Sequence, residues 1–238
     1  GSISFIIMKK RNNPIINEKS YNYNITNEGA CENKASFLKN IIGLWLVQES
    51  KRQWEREGKE FSFSQLEDMA KDAEPFRSFI DPDDPVFTPA GNVPDRIREY
   101  CAKTNQPVPR SEAEIVRCIN ESLALKYRTA LEEIEDCTSK TYSTIYMVGG
   151  GIQSKLLCQM TANACRTYVS AGPVEATVLG NIAVQLMAAG EIKDLKDARK
   201  IINNSQKIDR YSPKDTMLWE RAYERFNKII KAKEVVSC

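Results

Sequence analysis

Residues 144–181 read TIYMVGGGIQSKLLCQMTANACRTYVSAGPVEATVLGN, and this stretch decides the fold. Thr144 to Val148 is a run of β-branched and aromatic residues that predicts a strand, and Gly149-Gly150-Gly151 follows it at once. The next residues predict a helix, a short strand at Tyr168 to Ser170, and an apolar helix from Val174 to about Ala189. Strand, helix, strand and helix in succession indicate an α/β protein with helices layered on a sheet.

The rest of the chain is richer in predicted helices than in strands. Ile3 to Met8 predicts a buried strand, residues 17–33 an extended loop, and Lys34 to about Gly58 one long amphipathic helix. Further helix starts are predicted at Ser64, Pro94, Ser111, Leu195 and Ser212. Because only three strands are convincing, we expect a helix-rich domain whose sheet is incomplete at the N-terminus, with a strand edge exposed near Ile3 to Met8.

Length and charge set outer limits on function. The chain has 238 residues with 34 basic and 32 acidic side chains, enough for one large domain or two small ones. Balanced charge without a long run of Lys or Arg argues against a nucleic-acid partner. The sequence contains no histidine, which excludes Ser-His and Cys-His nucleophile pairs and HExxH zinc sites. Proton transfer would have to use Asp, Glu, Lys, Tyr or Cys.

Cysteine usage and hydropathy bear on the compartment. The seven cysteines are an odd number and form no C-x-x-C pair, which favours reduced cytosolic thiols. Cys101 and Cys118 lie on neighbouring predicted helices, but the sequence does not decide whether they pair. The charge-free stretch between Glu175 and Glu191 is too short to cross a bilayer. We therefore expect a cytoplasmic protein with no membrane partner.

The glycine triplet is the most informative candidate site. Glycines let a backbone approach a ligand closely, and the first-turn amides of the following helix offer donors to a nucleotide. The common phosphate-binding patterns do not fit, since Ser154 stands where both expect glycine and Leu156 replaces the Ser or Thr of a Walker A loop. Taken alone, the triplet is equally compatible with a tight turn that binds nothing.

The run from Val148 to Asn181 closely resembles the C-terminal domain of the FGGY carbohydrate kinases, among which the rhamnulokinases match best. The shared order is strand, triple glycine, Leu-Leu helix, short strand, Ala-Gly-Pro-Val-Glu-Ala and Leu-Gly-Asn. The resemblance continues upstream at residues 26–29, 37–48, 79–85 and 94–101. It implies an actin-like ATPase fold of the ribonuclease H type, with residues 1–238 forming a C-terminal nucleotide-binding domain.

The resemblance implies transfer of the γ-phosphoryl group of ATP, with Mg²⁺, to O1 of L-rhamnulose. Other deoxyketoses and ketopentoses stay open as substrates. In the family, the general-base Asp and the N-terminal sugar-binding domain precede the part matched here. We therefore expect this chain to be inactive alone, and to associate with that missing domain or with itself. A diverged non-catalytic module that acts by protein association is the alternative, and a truncated reading frame without a role is a third possibility.

The resemblance also assigns roles to the glycine triplet and to two amides. Gly150 would contact the adenosine part of ATP, with Gly149 and Gly151 shaping the turn. Gln48 would be a polar ATP contact. Asn40, two turns earlier on the same predicted helix, would hydrogen-bond the sugar.

At the N-terminus, Ser2 stands where the family has the Thr of a Gly-Thr-Trp-Ser loop that binds ATP phosphate. Alternatively, Gly1-Ser2 is left over from cloning and has no role. The family's second glycine and Gly-Thr pair are replaced at residues 30–35, and a glycine-poor loop cannot follow the same backbone where a positive φ is needed. No catalytic or metal-binding residue is assigned, since the Asp81-Pro82-Asp83-Asp84 run favours turn chemistry over magnesium.

Overall fold

A computed structural model describes residues 3–7, 13–30 and 33–236 of the chain. The helices in these ranges are α1 (Glu18–Asn22), α2 (Trp45–Arg56), α3 (Phe63–Asp72), α4 (Val93–Lys103), α5 (Glu112–Thr138), α6 (Lys155–Cys165), α7 (Ala176–Ala188), α8 (Leu195–Ser205) and α9 (Thr216–Val236). The strands are β1 (Ile3–Ile7), β2 (Thr26–Ala30), β3 (Lys34–Ile42), β4 (Thr144–Met147), β5 (Tyr168–Ala171) and β6 (Asp209–Tyr211). The predicted helix-rich α/β class is confirmed.

The strands form two separate three-stranded sheets. The first has the order β1-β3-β2 and is antiparallel throughout, with Phe5 opposite Asn40. The second has the order β4-β5-β6, in which β4 and β5 are parallel and β6 runs antiparallel to β5. Within the described residues β1 lies at an edge of its sheet, as predicted, and β4 lies at an edge of the other.

Helix α5 lies at the centre of the core. Its predicted capping box is present, since the Ser111 side chain accepts from the Glu114 N–H at 3.2 Å and Glu114 accepts from the Ser111 N–H. More than half of its residues are buried, because α3, α6 and α9 pack against it and β1 and β3 also contact it. Its apolar side chains share one cluster with Trp54, Phe79 and Phe226.

The prediction of one long helix over residues 34–58 is wrong. Strand β3 occupies its first part, and α2 begins only after Gly43 and Leu44. Phe37 and Leu38 are adjacent and both buried, so β3 is covered on two faces. Consecutive apolar residues on such a strand imitate the apolar stripe of a helix, and periodicity cannot separate the two.

Three smaller predictions also fail. The segment predicted as a loop over residues 17–33 contains α1 and the short polar strand β2. Asn17 caps the start of α1 by accepting from the Ser20 N–H. The capping box of α3 begins at Ser62 rather than at Ser64. Helix α9 begins at Thr216 rather than near Ser212. The predicted number of strands is too low by three, because β3 imitates a helix and β2 and β6 lack apolar alternation.

Candidate functional site

The glycine triplet lies at the carboxyl end of β4. Gly149 has a φ of 81°, in the left-handed region that favours glycine, and its N–H donates to the Pro173 carbonyl at 3.0 Å. Because Pro173 follows β5, the carboxyl ends of two parallel strands meet at this point. Ligands of open α/β sheets bind outside the carboxyl ends of parallel strands, so the triplet lies where a ligand is expected.

Gly150 is exposed and begins a 3₁₀ turn that runs to Gln153. A Cβ atom added at Gly150 or Gly151 would meet no other atom within 4 Å. The fold therefore does not require glycine at positions 150 and 151, whereas the positive φ at position 149 does require glycine. An exposed backbone without a side chain is open to close approach by a ligand.

Two first-turn amides of α6 already donate hydrogen bonds within the chain, so they are not available to a nucleotide. The Leu156 N–H donates to Glu67 Oε1 at 3.1 Å, and the Leu157 N–H donates to Ser154 Oγ at 3.2 Å. Glu67 comes from α3 and places a carboxylate at the positive end of the α6 dipole. This arrangement disfavours a phosphate at α6 and leaves the exposed glycine turn to an uncharged group.

Gly172 lies after β5, directly before the Pro173 whose carbonyl accepts from the Gly149 N–H. Its φ is 141°, and an added Cβ would lie 2.7 Å from Ile208 Cδ1 and 2.8 Å from the Lys207 carbonyl oxygen. The peptide bond from Gly172 to Pro173 is cis. The sequence indicated a turn here, but the packing partner lies far along the chain and has no local signal.

Asn40 lies on β3 and not on a helix before Gln48, which corrects the predicted placement. Its side chain is exposed and makes no hydrogen bond within the described part of the chain. The residue before it is fixed, because Lys39 pairs with Glu133. The Ile42 N–H is fixed as well, by donation to an Asp83 carboxylate oxygen at 2.8 Å. A free amide between two fixed positions is suited to a polar ligand.

The loop that holds the end of β3 is built around a buried lysine. Lys126 Nζ of α5 lies 2.8 Å from Asp81 Oδ1 and 3.3 Å from Asp83 Oδ2. Burial lowers the pKa of Lys126, but the two carboxylates outweigh burial and the net pKa is raised. Asp84 accepts from the Val86 N–H at 3.0 Å. The turn interpretation of these acidic residues is therefore confirmed.

Gln48 lies in the first turn of α2 and is half-buried. Its side chain has no hydrogen-bond partner among the described residues. The next residue anchors the helix, since buried Glu49 accepts from the Gly91 N–H at 3.0 Å and this bond lowers the pKa of Glu49. Gly150, Asn40 and Gln48 thus lie on three different elements, and no hydrogen bond of the described chain joins them.

Two expectations fall wholly or partly outside the described residues. Ser2 lies there, as do Cys31 and Glu32 of the altered loop. Where the description resumes, Asn33 has a φ of 53° and closes the β2–β3 hairpin. Asn tolerates the left-handed region better than most residues, so part of this turn has a positive φ without glycine.

Comparison with known proteins decides the family. Residues 1–189 match the family model described as the FGGY family of carbohydrate kinases, C-terminal domain. The chain belongs to the FGGY family of carbohydrate kinases. A rhamnulokinase from Bacteroides thetaiotaomicron is 40% identical over 218 residues, which are 92% of this chain and 44% of that protein. A rhamnulokinase from Bacillus subtilis is 41% identical over 202 residues, or 85% of this chain and 41% of that protein.

Solved structures support the same assignment for the fold. The xylulose kinase from Rhodospirillum rubrum has a TM-score of 0.68 and 15% identity, over 99% of this FGGY chain and 46% of that one. The Plasmodium falciparum glycerol kinase solved with ADP has a TM-score of 0.59 and 14% identity, over 84% of this chain and 38% of that one. The actin-like architecture implied by the motifs is therefore confirmed. The chain spans less than half the length of these relatives.

Within the described residues, no helix is long and apolar enough to span a membrane.

The thiols of Cys101 and Cys118 do approach each other in the core, as the predicted neighbouring helices allowed. A hydrogen bond from Cys118 lowers the pKa of Cys101, and no disulfide bond joins the two cysteines.

Proposed function

We propose that this chain is the ATP-binding half of a kinase that phosphorylates L-rhamnulose at O1. The sugar is inferred from two rhamnulokinases that are 40% and 41% identical to this chain over 92% and 85% of its length. The observation that carries nucleotide binding is the exposed Gly150 backbone at the carboxyl edge of β4 and β5. We take residues 1–238 as one nucleotide-binding domain.

The roles proposed for single residues follow the family resemblance, and the geometry of the turn bears on that of Gly150. Gly150 receives the adenosine part of ATP, because Glu67 already neutralises the adjacent helix end and offers no attraction to phosphate. Gln48 and Asn40 contribute free amide groups to ATP and to the sugar. Ser2 is kept as a phosphate contact.

Phosphoryl transfer needs a base for the sugar hydroxyl and neutralisation of the phosphate charge. We propose that the base, an Asp, and most sugar contacts belong to the half that this chain does not contain. Mg²⁺ supplies charge neutralisation when it arrives with ATP. The described residues hold no group of three acidic or cysteine side chains suited to a metal, and we assign the ion no residue here. Because the base is assigned to that other part, we expect residues 1–238 by themselves to be inactive.

Titration calorimetry with ATP and MgCl₂ tests the proposal. We expect binding by the wild-type chain that Gly150→Asp abolishes. Gly180→Asp is the matched control, since a Cβ at Gly180 in α7 also meets no atom within 4 Å. No heat with wild-type chain would contradict the proposal and favour the non-catalytic association module.

A phosphorylation assay tests the inactivity of the chain alone. We expect no ATP-dependent product from L-rhamnulose with the purified polypeptide. Turnover above the level of a Gly150→Asp sample would show that the chain carries its own general base.

A further inference from the structure

A carboxylate from α3 occupies the N-terminus of α6. Glu67 Oε1 accepts from the Leu156 N–H at 3.1 Å, although the two residues lie on different helices. The Glu67 side chain is 16% exposed, so water screens this contact less than it would at the surface. Glu67 therefore brings a negative charge to the place where the dipole of α6 is positive.

The charge of Glu67 is only partly balanced by its surroundings. Lys71 Nζ lies 3.4 Å from Glu67 Oε1 and closer, at 2.9 Å, to Asp68 Oδ1. One ammonium group thus serves two carboxylates. The charge also acts inside α6, because the pKa of the Cys158 thiol is raised to about 12, first by burial and then by the Glu67 carboxylate. The N-terminus of α6 therefore repels an anion that such a helix end would otherwise attract.

Without Glu67, the same helix end has the features of an anion site. Lys155 in the first turn is exposed, and the Leu156 N–H would lose its acceptor. A helix N-terminus with a cation beside it attracts phosphate. The glycine turn runs directly into this end, since Ser154 closes the turn and caps α6. A ligand at Gly150 therefore meets a neighbourhood whose charge depends on Glu67.

We infer that Glu67 is a specificity-determining residue, which makes the glycine turn select a nucleoside and reject a bare polyphosphate. The inference rests on the proposed function, in which Gly150 receives the adenosine part of ATP. The carboxylate acts by repulsion, which spares the uncharged nucleoside and directs the triphosphate away from α6. ATP is therefore held in one orientation, and inorganic polyphosphate does not replace it at this turn.

Titration calorimetry at low ionic strength tests the inference, with inorganic tripolyphosphate and adenosine as separate probes. Glu67→Gln removes the charge and keeps an oxygen for the Leu156 N–H, whereas Glu67→Ala also frees that N–H. Asp72→Asn is the matched control, because it removes the same charge from an exposed residue at the other end of α3. Urea unfolding of each variant checks that it folds.

We expect Glu67→Gln to bind tripolyphosphate about threefold more tightly than wild type, and Glu67→Ala about tenfold more tightly. Asp72→Asn should bind it as wild type does. Adenosine is uncharged, so its affinity should be the same in Glu67→Gln and wild type. The gain in tripolyphosphate affinity should shrink in about 1 M NaCl, where the Debye length is about 3 Å.

Equal tripolyphosphate affinity in wild type and the folded Glu67 variants overturns the inference. An equal gain in Asp72→Asn overturns it as well, because the effect would then report net charge alone. Loss of adenosine binding in Glu67→Gln without a gain for tripolyphosphate shows that Glu67 only supports the fold of the turn, which also contradicts the inference.

The wild-type titrations separate the two proposals. A wild-type chain that binds neither adenosine nor ATP contradicts the proposed function, independently of the tripolyphosphate result. ATP binding by wild type together with unchanged tripolyphosphate affinity in the Glu67 variants contradicts the present inference alone.

Discussion

Two adjacent glycines in the turn after β4 should respond to alanine in opposite directions. Gly149 has a φ of 81°, whereas Gly150 lies outside the left-handed region and has open space where a Cβ would stand. Alanine at Gly149 must adopt φ 81° and ψ −172°, a region populated essentially by glycine, at a cost of about 1–3 kcal/mol. Alanine at Gly150 adds no contact and restricts the unfolded chain, which stabilises a protein by about 0.4–1 kcal/mol.

For a chain of this length, 1 kcal/mol moves the melting temperature by about 2–4 °C. Gly149→Ala should therefore lower the melting temperature by about 2–12 °C, and Gly150→Ala should raise it slightly. Circular dichroism during thermal and urea unfolding measures both changes. The two substitutions are chemically identical, so the difference isolates the backbone conformation.

Changes in ATP affinity should not parallel changes in the free energy of unfolding. Gly150→Ala places a methyl group where adenosine is proposed to approach, and we expect the dissociation constant for ATP to rise by about tenfold, or 1.4 kcal/mol. Gly180→Ala is the control in calorimetry, because it should stabilise α7 by about 1 kcal/mol and leave ATP binding unchanged. Wild-type affinity for ATP in Gly150→Ala would refute the proposed adenosine contact, and an unchanged stability in Gly149→Ala would refute the conformational argument.

Three further predictions concern the framework around the site. Gly172→Ala should cost about 3 kcal/mol in urea unfolding, because its Cβ would overlap a backbone carbonyl oxygen at 2.8 Å and its φ is 141°. Lys126→Met should cost a similar amount, about 3 kcal/mol, by leaving two carboxylates without their cation, and Asp81→Asn should cost less. Burial raises the pKa of Glu121 from 4.5 to about 7, so the folded protein binds this proton more tightly than the unfolded chain. The free energy of unfolding should therefore fall by about 3 kcal/mol between about pH 4 and about pH 8, and Glu121→Gln should flatten that decline in urea titrations.

The sequence predicted the second half of the fold better than the first. Between Thr144 and Ser205 each strand and helix has its own local signal, whether glycine, an apolar run or a cap, and the predicted elements lie within a few residues of the observed ones. In the first half, β3 is a strand because it pairs with β1 on one side and with β2 on the other. A pattern within one segment cannot report that pairing.

The candidate site divides in the same way. The tight turn at the glycine triplet was predictable, because glycine directly after a strand permits the positive φ that the turn has at Gly149. The capping of α6 by Glu67 was not, since it joins α3 to a helix far along the chain. Asn40 was singled out as a residue but placed on the wrong element, because its exposure depends on the sheet.

The helix pair α7–α8 has a small apolar cluster of its own, made by Ala183, Met187, Ile192, Ala198 and Ile202. Such a unit should open as one cooperative block at a lower free energy than the body of the protein, and its amide protons should exchange with solvent first. In the sequence, this helix pair comes directly after the turn at Pro173, whose carbonyl accepts a hydrogen bond from the Gly149 N–H. A nucleotide that fixes this turn should therefore slow amide exchange along α7, which makes the helix a reporter of occupancy at a distance from the ligand.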